Sequence, residues 1–369
     1  MTTARDIKDT LRIASAFVGV IVGAGFASGQ EILQFFTSFG TAGLIGSFVS
    51  GAVFIVLAMT LTSLGQHLAA DSHKPVVYAI CGKYLGAFVD AFITFFMFGI
   101  TVVMLAGAGS LLEQFTGMPS LYGSLAATVL TVALVCMNLR NVITFIGLVT
   151  PLLVLMAAIV CIWSFAARDA SFGELNSVAQ TLPQGAAHWF VAALLYVSYN
   201  IVAGTPMLAI MGGDAPSRKV ALWGGVLGGL LLGILILVIA TGMFVRVDDL
   251  ADVPMPTLML ATELSPALGA IMAIVIFAMI LNTAVGVLYS FTARFLEPET
   301  AAFRWGALGA GVLALAGSFI GFITLVGTVY PFFGYLGFVL MVCTLIGWWR
   351  LRTNAMGPGQ HRNSDSSNV

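Results

Sequence analysis

Hydrophobic positions in this chain follow neither the alternation of a strand nor the one-sided stripe of a surface helix. They come in long runs of about 18 to 25 residues, the length a helix needs to cross roughly 30 Å of hydrocarbon. The runs predict spans at residues 11–36, 41–64, 86–112, 118–137, 141–164, 186–212, 221–243, 267–291, 303–321 and 323–348. Only a few residues separate the last two, so that division is the least sharp. The expected fold is an all-α polytopic membrane protein of ten transmembrane helices. A lead at residues 1–10, a loop at 165–185 and a polar, disordered tail at 349–369 complete the chain.

Two matches at one offset divide the spans into repeats. ITFIGLVTP at residues 143–151 recurs as ITLVGTVYP at 323–331, and IVGAG at 21–25 faces IVAGT at 201–205, both 180 residues apart. The repeats are therefore 11–164 and 186–348, five spans each. Five is odd, so the second copy enters the membrane from the opposite side, which makes the arrangement a 5+5 inverted repeat of the kind used for alternating access. With the N-terminus inside, thirteen of the fifteen Lys and Arg lie on the cytoplasmic side and only Arg168 and Arg246 outside. Both termini are thus expected in the cytoplasm, and the protein in the cell inner or plasma membrane.

Composition narrows the function classes. Only 8% of residues are charged and 59% are hydrophobic, against about 25% charged in a soluble domain. A soluble enzyme and a nucleic-acid binder are excluded, and the bundle itself must hold the function. No G-x-x-x-x-G-K-S/T occurs, which argues against a nucleotide partner. Cys81, Cys136, Cys161 and Cys343 are widely spaced and read as small buried hydrophobes. Embedded His–Asp or His–Glu pairs are absent, so no enzyme and no cofactor are expected. The partners expected are a small-molecule substrate, the lipid bilayer and a coupling ion.

Chemistry concentrates in the first span, where GAGFASGQE places Gly23, Gly25 and Gly29 beside Ser28, Gln30 and Glu31. Glycine costs a helix about 1 kcal/mol relative to alanine, and polar groups in hydrocarbon need partners. The reading is a break: one helix to about Val22, an extended segment from Gly23 to Ala27, and a second helix capped by Ser28 with Glu31 closing a Ser-x-x-Glu box. The alternative is that the glycines only allow close packing. Backbone around Gly23, Ala24, Gly25, Phe26, Ala27 and Ser28 would then meet a substrate carboxylate. Span 6 has a matching SYNIVAGTP, in which Tyr199, Asn200, Gly204 and Thr205 are candidate substrate contacts and a second break is expected. In span 8, Asn282 and Thr283 interrupt an apolar stretch, and a Thr hydroxyl suits a hard cation. Glu31 reads three ways: a helix cap, a carboxylate that couples to proton or substrate, or an exposed vestibule residue. No Lys lies within a span, which favours sodium over proton as coupling ion.

The break at GAGFASGQE, its partner SYNIVAGTP and the inverted repeat together resemble the YkvI-type family of amino-acid permeases, within the amino acid-polyamine-organocation superfamily and its LeuT-like architecture. The resemblance runs from about residue 10 to residue 350. It implies substrate beside the breaks in spans 1 and 6. In sodium-coupled members it also implies an ion held by carbonyls of span 1 and hydroxyls of span 8. On this chain those positions are the carbonyls of Gly19 and Val22 with Ala278, Asn282 and Thr283. One departure is plain: sodium-coupled relatives often pair Ser or Thr where Asn282 precedes Thr283. The function expected is sodium-coupled symport of a small zwitterion, an amino acid above all. Proton-coupled symport, a passive channel and a non-transporting receptor are the rivals.

Overall fold

Apolar residues in runs this long leave the backbone one economical solution, which is to satisfy every N–H and C=O within a helix. The computed structural model describes residues 4–137, 151–152, 154–164, 172–298 and 300–352. In the first half the helices are α1 (Ala4–Ile21), α2 (Ala24–Ser28), α3 (Gln30–Phe35), α4 (Thr41–Leu68), α5 (His73–Thr116), α6 (Ser120–Cys136) and α7 (Val154–Ser164). Then come α8 (Phe172–Ala179), α9 (Trp189–Gly213), α10 (Arg218–Phe244), α11 (Pro256–Leu264), α12 (Pro266–Thr292), α13 (Ala301–Ser318) and α14 (Phe322–Arg352). Among the described residues, six helices are long and apolar enough to cross a membrane: α4, α5, α9, α10, α12 and α14. The apolar α6 and α7 are shorter. Residues 143–150 of the first repeat motif, Arg140, Arg168 and the tail from residue 353 lie outside the described residues.

Several expected spans fall inside single helices: 41–64 within α4, 221–243 within α10 and 267–291 within α12. Others are redrawn. The helix α5 is 44 residues long and bends at Gly82, whose φ of 72° is accessible to glycine and costly to any residue with a Cβ. The close pair 303–321 and 323–348 is divided at Phe319–Gly321, where Gly321 takes φ 96°.

Small residues bring helices into backbone contact and so place the site. Gly225 and Gly229 of α10 lie where a Cβ would come within 2.6 Å of the Met59 and Ile55 backbone of α4, and Gly233 lies against Gly51. The neighbouring Gly224 and Gly228 admit Ile13, Ala14 and Phe17 of α1. One glycine helix thus holds α1 on one side and α4 on the other, close to the point where the first span breaks. Outside the bundle, Asn176 of α8 accepts from the Thr41 N–H at the start of α4 at 3.0 Å, and the Thr257 hydroxyl of α11 donates to the Ala27 carbonyl just past the break.

Candidate functional site: a cavity at the break in the first span

The first span ends as a regular helix at Ile21 and restarts at Ala24. In an unbroken helix the Gly23 N–H would serve the Gly19 carbonyl, but it bonds the Ile21 carbonyl at 2.7 Å instead. Gly19 is thereby left without its helical donor. The extended stretch expected from Gly23 to Ala27 does not form. Only Val22 and Gly23 leave the helix, and the Ala27 N–H closes a new turn on the Gly23 carbonyl at 2.9 Å. A second interruption follows at Gly29, with φ 83°. A short helical turn is therefore bracketed by two glycines.

The expected capping box does not form either. Gly29 is the N-cap of α3 and no side chain bonds there. The Ser28 hydroxyl instead donates to the Gly25 carbonyl at 2.8 Å and accepts from the Gln30 N–H at 3.2 Å. The left-handed turn at Gly29 is the physical reason, because it redirects the chain so that Glu31 folds back over α2. Its carboxylate lies on Gly25 so closely that a Cβ there would sit 1.8 Å from Oε1.

Glu31 is 6% exposed, and its carboxylate is held from across the bundle. The Tyr199 hydroxyl of α9 donates to Oε2 at 2.8 Å, and the Tyr330 hydroxyl of α14 faces the same carboxyl group. The two phenol rings are stacked, with centroids 4.8 Å apart and planes 11° apart. Phe35 and Tyr196 pack on Tyr199 at 5.6 and 5.5 Å, extending an aromatic layer toward the start of α9. On the other side lies a cavity of about 150 Å³. Ile93, Phe96, Met97 and Ile100 of α5 and Val287 of α12 form its apolar wall. Glu31 is the one charged side chain among the described residues that line it.

The cavity gathers some of the candidate residues and leaves others aside. Gly23, Gly25, Glu31, Tyr199, Asn200 and Thr283 line it together, although they come from the break itself and from α2, α3, α9 and α12. Phe26, Ala27 and Ser28 are fully buried and are not part of the lining. Gly19, Val22, Ala278 and Asn282 are also outside it. Thr283 is the span 8 residue that reaches the break: a Cβ on Gly23 would stand 3.5 Å from its Oγ1.

Span 6 is not broken as expected. The helix α9 runs through Pro206 to Gly213, and two of its polar side chains bond carbonyls of their own helix. Asn200 Nδ2 donates to Tyr196 at 2.9 Å and Thr205 Oγ1 to Ile201 at 2.6 Å. Gly204 serves packing, since Phe17 and Ile21 of α1 approach to 3.0 and 3.2 Å of where its Cβ would be. Pro206 still leaves the Val202 carbonyl without an i+4 donor, and both residues line the cavity. Tyr330 was missed by sequence reasoning, although it immediately precedes Pro331 in the repeat motif ITLVGTVYP.

No family model matches the chain. It is 29% identical over 330 residues to the uncharacterized membrane protein YkvI of Bacillus subtilis (strain 168), covering 88% of this chain and 92% of that protein. It is 25% identical over 336 residues to the uncharacterized protein YyaD of the same organism, covering 89% and 94%. Among solved structures, the inward-facing conformation of Mhp1 superposes with a TM-score of 0.66 at 13% identity, over 94% of this chain and 77% of Mhp1. MhsT in complex with L-phenylalanine gives 0.67 at 18%, over 96% and 92%. A Na+-coupled sialic acid symporter gives 0.57 at 16%, over 95% and 82%. These are LeuT-fold secondary transporters. This chain shares their fold. Within the LeuT fold, the cavity lies beside the interrupted first span.

Proposed function

We propose that the chain is a secondary active transporter that carries a small zwitterionic solute, in the first instance an amino acid, through the cell membrane by alternating access. Its ten spans form a 5+5 inverted repeat with both termini in the cytoplasm. The observation that carries this reading is the break at Val22–Gly23, which opens onto a cavity lined also by α5, α9, α12 and α14. A volume of about 150 Å³ with a mostly apolar wall leaves room for a small solute. MhsT bound to L-phenylalanine is an instance of this fold holding an amino acid, and the Na+-coupled sialic acid symporter is an instance of it using sodium.

Sodium is the coupling ion in this proposal. The Gly19 carbonyl, relieved of its helical donor, and the Thr283 hydroxyl beside Gly23 are the oxygen ligands the geometry favours. Val22, Ala278 and Asn282 complete the set implied by the resemblance. A second reading, proton coupling, is favoured by the buried carboxylate of Glu31 in the cavity wall.

Uptake into proteoliposomes tests the function. An amino-acid panel is offered under an inward sodium gradient, an inward proton gradient or neither. Accumulation above equilibrium under sodium alone is expected. Accumulation under the proton gradient alone would transfer coupling to Glu31, and equilibration without accumulation would mean a passive pathway.

A further inference from the structure

The carboxylates of Asp90 and Glu31 have different surroundings. Asp90 of α5 forms an ion pair with Arg294 and a hydrogen bond, at 3.1 Å, with His73. Glu31 has no such neighbour: its partners are the neutral hydroxyls of Tyr199 and Tyr330, and no Lys, Arg or His is among the described residues lining the cavity. Hydroxyl donors orient a carboxylate without cancelling its charge, and a carboxylate taken out of water is costly until a cation meets it.

Its position adds a second constraint. An α-amino acid would be expected to place its own carboxylate at the exposed backbone of the broken span. Here the Glu31 carboxylate already occupies that backbone, lying on Gly25. An incoming carboxylate would meet like charge, with no basic side chain in the lining to offset it. An incoming ammonium group would meet an anion already aimed by two phenols.

We propose that Glu31 is the recognition group for a protonated amine, and that the substrate class is small primary amines with an apolar body, whether or not they carry an α-carboxylate. The ammonium group pairs with Glu31, and the carbon skeleton lies against Ile93, Phe96, Ile100 and Val287. The passage of the amine across the membrane rests on the transport reading above, whereas its recognition does not.

Binding and flux are therefore measured separately. The full chain in lipid nanodiscs is titrated calorimetrically with four probes of one skeleton: leucine, leucinamide, isopentylamine and 4-methylpentanoate. Leucinamide and isopentylamine are expected to bind within about threefold of leucine or more tightly, and 4-methylpentanoate at least about tenfold more weakly. In Glu31→Gln, isopentylamine affinity should fall at least about tenfold, with the ligand-free melting temperature showing that the variant is folded. The wild-type series stands by itself if that variant does not fold. Binding of leucine and 4-methylpentanoate without isopentylamine, equal amine binding by wild type and Glu31→Gln, or no binding of any probe would each overturn the proposal. One-for-one displacement of the amine by sodium in the same nanodiscs would make Glu31 a metal-cation site and overturn it too. Amine binding without uptake in proteoliposomes would support the recognition and sink the transport reading instead.

Discussion

Glu31 and Gly25 act as one unit, because the carboxylate occupies the space a side chain on Gly25 would need. A separation of 1.8 Å from Oε1 is too short for the neighbours to absorb without moving the carboxylate. Gly25→Ala should therefore pull Glu31 away from Tyr199 and Tyr330 and lower solute uptake about tenfold or more, with membrane insertion unchanged. Gly23 makes the control, since a Cβ there meets Thr283 at an ordinary 3.5 Å. Gly23→Ala should keep uptake within about threefold of wild type in the same assay. Equal losses in the two variants would mean that Glu31 is not the group Gly25 serves. Thr283 supports a separate expectation. Thr283→Ala should raise the sodium concentration for half-maximal uptake several-fold while leaving solute affinity at saturating sodium nearly unchanged, as read from initial rates.

At the scale of elements, the site depends on a helix that stops twice within eight residues. Gly29 holds the second stop with φ 83°, and a Cβ there would come within 2.9 Å of Thr257 on α11. An L residue in the left-handed region costs roughly 1–2 kcal/mol. Gly29→Ala is accordingly expected to lower the melting temperature by several degrees and to reduce uptake, because relieving the strain straightens α2 into α3 and swings Glu31 off Gly25. An unchanged melting temperature would show that the turn adjusts freely. By contrast, α9 keeps its continuity although its sequence resembles a break. Asn200 and Thr205 spend their polarity on carbonyls four residues back, a local solution that needs no unwinding.

The molecule as a whole is organised around the glycine seam of α10, which draws α1 and α4 together beside the cavity. Gly229→Leu would place a side chain into the backbone of Phe54 and Ile55. Small-to-large changes in a packed interface cost about 1–3 kcal/mol or more. This variant should insert into the membrane yet lose thermal stability and all solutes' uptake alike, unlike Gly25→Ala, whose defect is confined to the site. Detergent melting curves beside uptake assays distinguish the two.

How much of this was legible in the sequence follows from which forces are local. The long apolar runs, the Lys and Arg asymmetry and the glycines of GAGFASGQE reflect transfer of single segments from water to lipid and intrinsic backbone preference. They predicted a helical bundle and located the interruption of its first span within two residues. The cavity was legible in part: Gly23, Gly25, Glu31, Tyr199, Asn200 and Thr283 were singled out and do meet there. What tertiary structure alone decided was the direction in which those residues point. Ser28 and Glu31 had the spacing of a capping box, but the left-handed Gly29 and two phenols from distant helices turned the carboxylate inward. Tyr330 carried no local signal of its partnership with Tyr199, and SYNIVAGTP read as a break because its intrahelical bonds are invisible in composition. A segment's preference for membrane and helix is a property of its own residues. The partner of a buried carboxylate depends on side chains as far apart as Glu31, Tyr199 and Tyr330, and only their packing determines which groups the charge meets.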